Sequence, residues 1–434
     1  MLLSRYLKVF TTAENKEHLL VFSTRSCSKT LIRKEKWDEI ERRTLSSENK
    51  AALEKAGILV NDREEEKRTV CDTFKELNRR STSVDIIVVL NLDCNFACKY
   101  CYEGAMKGNI YMNEGTAAAL IDFIRKRLDH DKRALHLDFY GGEPLLSPDL
   151  IRYISTQLNR LTKEDNISCT FGLVTNGSLF NRRTAEELVG MGLKTVKITL
   201  DGPANIHNKN RPFRSGAGSF DIILKNIKET CNLVKIAIGG NFEKENYRDF
   251  PLLLDRFLDE GLTPEKIAQI KFDTVIKRPE RFLLPTDFNE GCMSLDEEWV
   301  MEASLFLREE ILKRGFYTPG IKPAFCSVES LNSYVANYDG VLYKCPGFLG
   351  IEGFEAGDLE NGPKNCSLSY GTEIWNNDEC LECEYLPLCF GGCRFVKYVR
   401  DGKVNLPDCR RKYFDTCLET LVKQDIKYGI KAER

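Results

Sequence analysis

Three cysteines stand close together in residues 91–104, which read NLDCNFACKYCYEG and follow the apolar run 85–91. Cys94, Cys98 and Cys101 could bind three irons of a 4Fe–4S cluster, a type of cluster that four cysteines usually close. An iron without a protein ligand is a place where a small molecule can bind and where electrons can leave. A zinc site, or three unrelated thiols, is the alternative interpretation of the same residues.

A second, larger set of cysteines lies in the C-terminal part of the chain. Its members follow an ordered spacing and are Cys326, Cys345, Cys380, Cys383, Cys389, Cys393 and Cys409. A zinc ribbon would explain only the stretch 380–393. The chain has seventeen cysteines, an odd number, and four histidines, none of them near these groups in sequence. For a protein expected in a reducing compartment, metal or cluster binding explains this better than disulfides do.

Size and charge exclude several classes of protein. A chain of 434 residues favours two or three domains. Its 63 basic and 65 acidic residues give a net charge of −2, so there is no overall basic field for nucleic acid. No apolar run reaches the roughly 18 residues that span a membrane. The first ten residues are too short and too polar for a signal peptide, and we expect a cytoplasmic protein.

From residue 84 onward, apolar strands alternate with amphipathic helices. Strands are predicted at 85–91, 134–140, 168–175, 195–200, 234–239 and 270–274. Helices are predicted between them at 113–127, 149–161, 182–191, 220–231 and 247–260. This alternation predicts a parallel sheet and a partial (β/α)6 barrel, in which chemistry is expected where the strands end.

Candidate binding residues stand at those strand ends. After the first strand comes the cysteine triplet, and after the second the sequence GGEP, which is Gly141, Gly142, Glu143 and Pro144. The third strand ends in Thr175 and Asn176, and the fourth in Thr199. Alone, GGEP is also explained by a tight turn with proline at a helix start.

Residues 1–80 have few cysteines and a different pattern. Strands are predicted at 6–10, 18–22 and 58–60 and helices at 34–43 and 46–56, a layout typical of a winged-helix-like module. The charged run 62–68 and the polar helix up to residue 80 are interpreted as a linker. A helix predicted at 294–313 bridges to the loop-rich C-terminal part.

Together these motifs resemble the radical S-adenosylmethionine (radical SAM) enzymes of the SPASM group. The segments TLDGP, RPFRSGAGSF, NYDGVLYKCPG and LPLCFGGCR extend the likeness over residues 84–417, and it is strongest to the geopeptide radical SAM maturases. The resemblance implies an α/β fold with a partial (β/α)6 TIM-like radical SAM barrel. The implied domains are a peptide (leader) recognition domain at 1–80, a radical SAM core at 84–280, a bridging region at 281–320 and a SPASM domain at 321–434.

The resemblance also implies cofactors and their ligands. These are SAM and three 4Fe–4S clusters, one of which binds SAM at Cys94, Cys98 and Cys101. One auxiliary cluster would take Cys326, Cys345 and Cys393, and the other Cys380, Cys383, Cys389 and Cys409. The fourth ligand of the former stays open, with a free iron, Cys366 and Cys417 as alternatives. Implied SAM-binding residues are Gly141, Gly142, Glu143, Pro144, Thr175, Asn176, Thr199 and Arg211.

The activity implied is reductive cleavage of SAM to a 5′-deoxyadenosyl radical and oxidative modification of a ribosomally made precursor peptide. A crosslink such as a thioether or another macrocycle is the expected product. The peptide would bind through its leader, and a flavodoxin or ferredoxin would supply electrons. One alternative is an anaerobic sulfatase-maturing enzyme, although Pro346 stands where that branch has an acidic base. Asp273 and Asp339 are other candidate bases. The remaining alternative is a non-catalytic iron–sulfur peptide-binding protein.

Overall fold

The computed structural model describes residues 2–11, 16–101, 103–128, 131–276 and 291–430. The middle of the polar turn predicted at 11–17 (residues 12–15), the end of the predicted core at 277–280, and the start of the bridging region at 281–290 lie outside the described residues. None of the helices within the described ranges is long and apolar enough to cross a membrane.

Six parallel strands form the centre of the molecule and pair in sequence order. They are Ser83–Val89, Ala134–Tyr140, Ser168–Thr175, Leu193–Thr199, Lys235–Phe242 and Ile267–Thr274. The helices around them are Glu114–Arg127, Pro148–Glu164, Arg182–Gly190, Ala204–Asn210, Phe220–Thr230 and Pro251–Asp259. This confirms the predicted α/β architecture with a parallel core sheet.

Alternation along each strand separates the two faces of the sheet. In Ala134–Tyr140, Leu135, Leu137 and Phe139 are buried against the helices, whereas His136 and Asp138 lie half-buried on the opposite face. Successive strand residues point to opposite faces, so one face carries the apolar core and the other lines the barrel interior.

The C-terminal part adds two strands that the sequence did not predict. The strand Ser333–Ala336 pairs in parallel with Ser83–Val89. The strand Leu342–Tyr343 then pairs antiparallel with Ser333–Ala336. These strands of four and two residues are too short to give a periodic signal in a loop-rich region. They attach the C-terminal part directly to the edge of the core sheet.

The N-terminal module is a three-stranded antiparallel sheet with helices. Its strands are Leu7–Thr11, His18–Ser23 and Lys29–Arg33, its helices are Lys34–Glu41, Ser47–Lys55 and Arg63–Arg79, and Leu2–Leu3 pairs with Leu59–Val60. The strand Lys29–Arg33 was not predicted.

The prediction of a linker at 62–80 is wrong, because these residues form the helix Arg63–Arg79, which packs against the rest of the protein. Asp62 caps its start by accepting hydrogen bonds from the N–H groups of Glu64 and Glu65 at 2.7 and 3.2 Å. Val70 and Phe74, on one face of the helix, pack against apolar residues of the C-terminal part.

The C-terminal part is built from short elements around two longer helices. The longer helices are Glu298–Lys313, which bridges from the barrel, and Arg411–Lys427. The shorter helices are Ser367–Tyr370, Asp378–Leu381, Leu386–Cys389 and Arg394–Asp401. Most of the downstream cysteines stand in or next to these short elements, so the local chain path sets where their thiols lie.

Candidate active site

A cavity of about 480 Å³ opens where the core strands end. The thiols of Cys94, Cys98 and Cys101 line it, as do Cys345 and Cys393 from the C-terminal part. The predicted SAM-binding residues that line it are Gly141, Gly142, Thr175, Asn176, Thr199 and Arg211. Two cysteine groups that are more than 200 residues apart in sequence therefore face one space.

The loop that carries the cysteine triplet is held by a second loop. The N–H of Ala97 donates to the carbonyl of Pro212 at 2.9 Å, and Phe96 packs edge-on against Phe213 with ring centres 4.9 Å apart. The Asn176 side chain donates to the sulfur of Cys94 at 3.8 Å. The sequence RPFRSGAGSF thus fixes the position of the triplet.

GGEP packs tightly against the start of the cysteine loop. The N–H of Gly142 donates to the carbonyl of Asn91 at 3.0 Å. A Cβ on Gly141 would lie 2.3 Å from the Asn91 oxygen, and one on Gly142 would lie 2.1 Å from the Asp93 oxygen. Only glycine fits at either position, and this leaves both backbones at the cavity wall, where a ligand can approach them.

The Glu143 carboxylate points into the protein. It accepts hydrogen bonds from the Thr175 hydroxyl at 2.7 Å and from the N–H groups of Asn176 and Leu145 at 2.8 and 3.0 Å. Burial raises its pKa, although these three bonds oppose the rise. Neither Glu143 nor Pro144 lines the cavity. That they bind SAM stays a prediction, and the contacts favour a positioning role for Glu143.

A buried polar network borders the same cavity. The Tyr100 hydroxyl bonds to Asp201 and accepts from Arg211 and Asn241 at 3.0 and 3.1 Å. Burial lowers the pKa of Arg211, but the charges of Cys98, Tyr100 and Asp201 raise it well above its usual value. Arg211 Nε is buried without a hydrogen-bond partner among the residues that the structure describes.

Asp201, Asn241 and Lys107 border the cavity or its polar network but were not among the predicted site residues. Lys107 lines the cavity beside the triplet. Burial lowers its pKa, but the thiols of Cys101, Cys94 and Cys98 outweigh that effect and raise it. Asp201 lies in TLDGP, and a buried carboxylate at a strand end was the available signal. Lys107 and Asn241 gave none.

Cys326 lies beside Cys345 and Cys393, the two downstream cysteines that line the cavity. Burial raises the pKa of Cys345 to about 12, and the neighbouring thiols of Cys326 and Cys393 add to the rise. The turn after Cys326 and the helix after Cys393 are joined by a buried ion pair between Glu329 and Arg394. This pair holds together two cysteines that are 67 positions apart.

The other four downstream thiols gather separately, away from this cavity. Burial is the main cause that raises the pKa of Cys380 and Cys383, and the charge of Cys409 adds to the rise. Burial also raises the pKa of Cys389 to about 11, with Cys380 as a neighbour. Sets of soft thiols suit iron–sulfur clusters. Among the residues that the structure describes, no three His, Cys, Asp or Glu side chains could hold a single metal ion.

The two alternative fourth ligands have different surroundings. Cys417 is fully buried in an apolar cluster with Met301 and Leu421. The Cys366 thiol lies near the ammonium of Lys344. Neither cysteine lines the cavity, and the same is true of the candidate bases Asp273, which pairs with Lys271 at 2.7 Å, and Asp339, which caps a turn.

The parallel barrel, the triplet after its first strand and the GGEP turn after its second define a radical SAM enzyme. The Radical SAM superfamily model matches residues 88–257, so this chain carries a radical SAM domain. Among curated proteins it is similar to the radical SAM cyclopropyl synthase TigE of Paramaledivibacter caminithermalis, with 23% identity over 378 residues, 79% of this chain and 75% of that protein.

Solved structures extend the likeness in fold. Native anSMEcpe with bound AdoMet and Cp18Cys peptide is 17% identical, with a TM-score of 0.63 over 80% of this chain and 100% of that one. Streptococcus suis SuiB bound to the precursor peptide SuiA is 15% identical, with a TM-score of 0.53 over 94% of this chain and 98% of that one. A likeness over 94% of the chain extends beyond the barrel and the C-terminal part.

Proposed function

We propose that this protein is a radical SAM maturase that oxidatively modifies a ribosomally made precursor peptide. The observation that carries the proposal is the cavity that faces both Cys94, Cys98 and Cys101 and, from the C-terminal part, Cys345 and Cys393. The structural neighbours that support a peptide substrate are SuiB, solved with the precursor peptide SuiA, and anSMEcpe, solved with the Cp18Cys peptide. A thioether or another macrocycle is the expected product.

Different residues of the cavity would bind the cluster and SAM. Cys94, Cys98 and Cys101 would hold the SAM-binding 4Fe–4S cluster, and the Gly141 and Gly142 backbones and Arg211 would hold SAM. When the cluster and SAM are both bound, they would supply the radical chemistry that abstracts a hydrogen atom from the substrate.

Residues around the cavity keep these groups in place. Glu143 fixes Thr175 and Asn176, and the Tyr100 hydroxyl and Asn241 orient the Arg211 guanidinium.

We assign two auxiliary clusters to the downstream thiols. Cys326, Cys345 and Cys393 would bind the one at the cavity. Cys380, Cys383, Cys389 and Cys409 would bind the other. Clusters held by these residues would supply an acceptor for the second electron that a net oxidation of the peptide releases.

Sulfatase maturation is disfavoured by the residue after Cys345. The acidic base of that branch would stand at this position, where Pro346 lines the cavity instead. Proline offers no group that could accept a proton.

The decisive experiment is anaerobic co-expression with any short peptide encoded beside this protein. Tandem mass spectrometry should locate a loss of hydrogen within that peptide. A Cys94→Ala/Cys98→Ala/Cys101→Ala variant should form neither product nor 5′-deoxyadenosine. Formation of 5′-deoxyadenosine by this variant would refute the assignment.

The N-terminal module would bind the leader at a sheet edge, as an added strand. One face of its sheet packs on helices through Val21 and Ile32, and the other packs on the C-terminal part through Leu20 and Phe22. The two edges are therefore the places for a further strand. We favour Lys29–Arg33, which leads directly into a helix and exposes Leu31 by 58%.

The hydrogen-bond register allows a matched test. Ser23 N–H donates to Ser28, and Lys34 N–H donates to Glu17, so residue 31 directs its N–H away from the neighbouring strand. At the opposite edge, Thr24 N–H donates to Tyr6. In that register residue 9 directs its N–H away from the neighbouring strand. Proline at either position removes one outward donor and spares the pairing within the sheet.

We expect Leu31→Pro to weaken leader binding at least tenfold in a titration with the precursor peptide, while Val9→Pro leaves it unchanged. SAM cleavage without peptide should stay at the unmodified level in both variants. Equal affinity of Leu31→Pro and the unmodified protein would contradict the choice of edge. Loss in Val9→Pro alone would place the leader at the opposite edge.

A further inference from the structure

A second cavity, of about 440 Å³, lies beside the last strand of the core sheet, Ile267–Thr274. Its size is within the range of sites that bind ligands. Thr274 lines both this cavity and the one that faces the cysteine triplet. The next two residues along the chain, Val275 and Ile276, also line the triplet cavity. The two cavities are therefore neighbours at the end of this strand, and we call the second one the edge cavity.

The strand Ile267–Thr274 forms one edge of the core sheet. Within the described residues it pairs with Lys235–Phe242 on one side and with no strand on the other. Successive residues of a strand direct their N–H and C=O groups alternately to its two sides. Val275 N–H donates to the carbonyl of Phe242 at 2.9 Å, on the paired side. By alternation, the even-numbered residues of the strand direct their N–H groups to the open side.

Other segments cover this open side at two places. Ile270 N–H donates to the carbonyl of Tyr317 at 2.9 Å, as expected for an even-numbered residue. Further along, Cys292 N–H donates to the carbonyl of Val275 at 2.9 Å. The edge is therefore closed at either end of a short gap.

The gap between these two contacts faces the edge cavity. It contains Phe272 and Thr274, both of which line that cavity. Neither of their N–H groups has a hydrogen-bond partner among the described residues. We call residues 272–274 the edge window. An unpaired stretch of strand edge is a template on which another extended chain can pair.

The remaining walls of the edge cavity are mainly apolar. Large apolar side chains on them are Leu295, Leu307, Ile311, Ile321, Leu388 and Phe414. Three of these, Ile321, Leu388 and Phe414, also pack in the apolar cluster that contains Leu20 and Phe22 of the N-terminal module. The edge cavity thus lies between the core sheet and a wall that packs on the module proposed to bind the leader.

The charged side chains at the edge cavity are nearly all paired. They are Lys271, Asp273, Arg308, Lys322 and Arg410. Lys271 pairs with Asp273 at 2.7 Å, and Arg308 pairs with the buried Asp425. Arg410 lies 3.6 Å from Asp408, and Asp296 is its second acidic neighbour. Lys322 is exposed. An occupant of this cavity would therefore be selected by backbone and apolar contacts and not by charge.

We propose that the core segment of the precursor peptide adds to the edge window as a short extended strand, with apolar side chains in the edge cavity. The N–H groups of Phe272 and Thr274 would donate to its carbonyls, and the following peptide residues would lead past Thr274 into the triplet cavity. The register of this pairing would set which peptide residue reaches the site of chemistry. The inference rests on the proposed function, because it requires a peptide substrate.

Hydrogen–deuterium exchange tests the edge window directly. The anaerobic holoenzyme is exchanged alone, with the short peptide encoded beside it, and with only the leader part of that peptide. Rates are read residue by residue by electron-transfer dissociation. We expect the amides of Phe272 and Thr274 to exchange about tenfold more slowly with the full peptide than with the leader part. The matched controls are the amides of Lys271 and Asp273, which face the neighbouring strand and should be slow throughout.

Filling the edge cavity gives an independent test. Ser304→Trp, on the bridging helix, and Ala324→Trp would each place a bulky ring in it. Each should lower kcat/KM for the full peptide about tenfold, while the affinity for the leader part stays the same. Ala118→Trp, at an exposed helical position on the barrel, is the control and should alter neither quantity. Circular dichroism checks that every variant is folded.

The proposal is overturned if the bound full peptide leaves exchange at Phe272 and Thr274 unchanged. It is also overturned if both edge-cavity variants, Ser304→Trp and Ala324→Trp, modify the peptide as fast as the control. A peptide that still changes in mass in either case would uphold the proposed function by itself. Conversely, slower exchange at the edge window without any mass change in the peptide would refute the proposed function and leave the binding site in place.

Discussion

At the scale of single residues, Glu143 shows why a motif does not define a role. GGEP suggested a carboxylate that binds the amino group of SAM. In the fold this carboxylate accepts two hydrogen bonds from the end of the next strand and a third from the N–H of Leu145 in its own turn, and it does not line the cavity. Its glycine neighbours form the cavity wall, because a Cβ at either would overlap the cysteine loop.

We predict that Glu143→Gln lowers stability by about 2 kcal/mol, because an amide NH₂ would face donors that now bond to a carboxylate oxygen. Urea unfolding of the variant checks this. The control is Glu186→Gln, an exposed position that should change stability little. Unchanged stability together with a large loss of SAM affinity would instead show direct contact with SAM.

At the scale of elements, a buried ion pair connects the two segments that carry Cys326 and Cys393. Arg394 and Glu329 are each 1% exposed. Arg394 also donates to the carbonyls of Phe390 and Gly392 at 3.0 and 2.8 Å. A buried charge left without its partner is costly, so both residues are needed together.

We predict that Arg394→Met destabilises the protein by about 3–5 kcal/mol, because Glu329 would remain buried without a counter-charge. The iron content of the protein should also fall, because Cys326 and Cys393 would no longer be held close to each other. Glu329→Leu/Arg394→Met should recover most of the stability in urea unfolding, since both charges are removed. Arg182→Met, at an exposed pair, serves as the control and should cost under about 1 kcal/mol. If the single and double variants were equally unstable, the pair would not be the cause.

At the scale of the whole molecule, the N-terminal module is part of the packing and not a detachable domain. Phe22 packs with Tyr385 and Leu388, and Phe74 packs with Trp375 and Phe390 at ring distances of 5.2 and 4.9 Å. Its removal would expose these apolar surfaces to water. Deletion of residues 1–80 therefore tests folding as well as leader binding, and substitutions at the sheet edges are the cleaner experiment.

We predict about twelve irons per chain in the anaerobically reconstituted protein, as three 4Fe–4S clusters require. Alanine variants of one thiol group at a time should each lose about four irons. The groups are the triplet at 94–101, then Cys326, Cys345 and Cys393, and then Cys380, Cys383, Cys389 and Cys409. Iron and sulfide analysis checks this, with Cys231→Ala as a control outside the groups. If only one of the three variants lost about four irons and the other two lost none, the protein would hold a single cluster.

Much of the fold followed from local pattern. The six core strands and the longer helices between them were predictable, because each is long enough for hydrophobic periodicity to show, whereas the seven-residue helix Ala204–Asn210 was not predicted. The strands 333–336 and 342–343 were not, since short segments are stabilised by partners far along the chain. The helix 63–79 was taken for a linker because it is mostly charged, and its apolar contact with the C-terminal part is made by few residues, among them Val70 and Phe74.

The sequence by itself determined the chemistry available to this protein. The cysteine triplet, GGEP and the other strand-end residues could be identified from the order of residues alone, because residues that stand in one short loop are close together in any fold. Only the tertiary structure decided how distant groups meet. It placed Cys345 and Cys393 at the cavity of the triplet, directed Glu143 inward and left Cys409 at the surface. These outcomes depend on packing between segments that are tens to hundreds of residues apart, and local sequence carries no record of that packing.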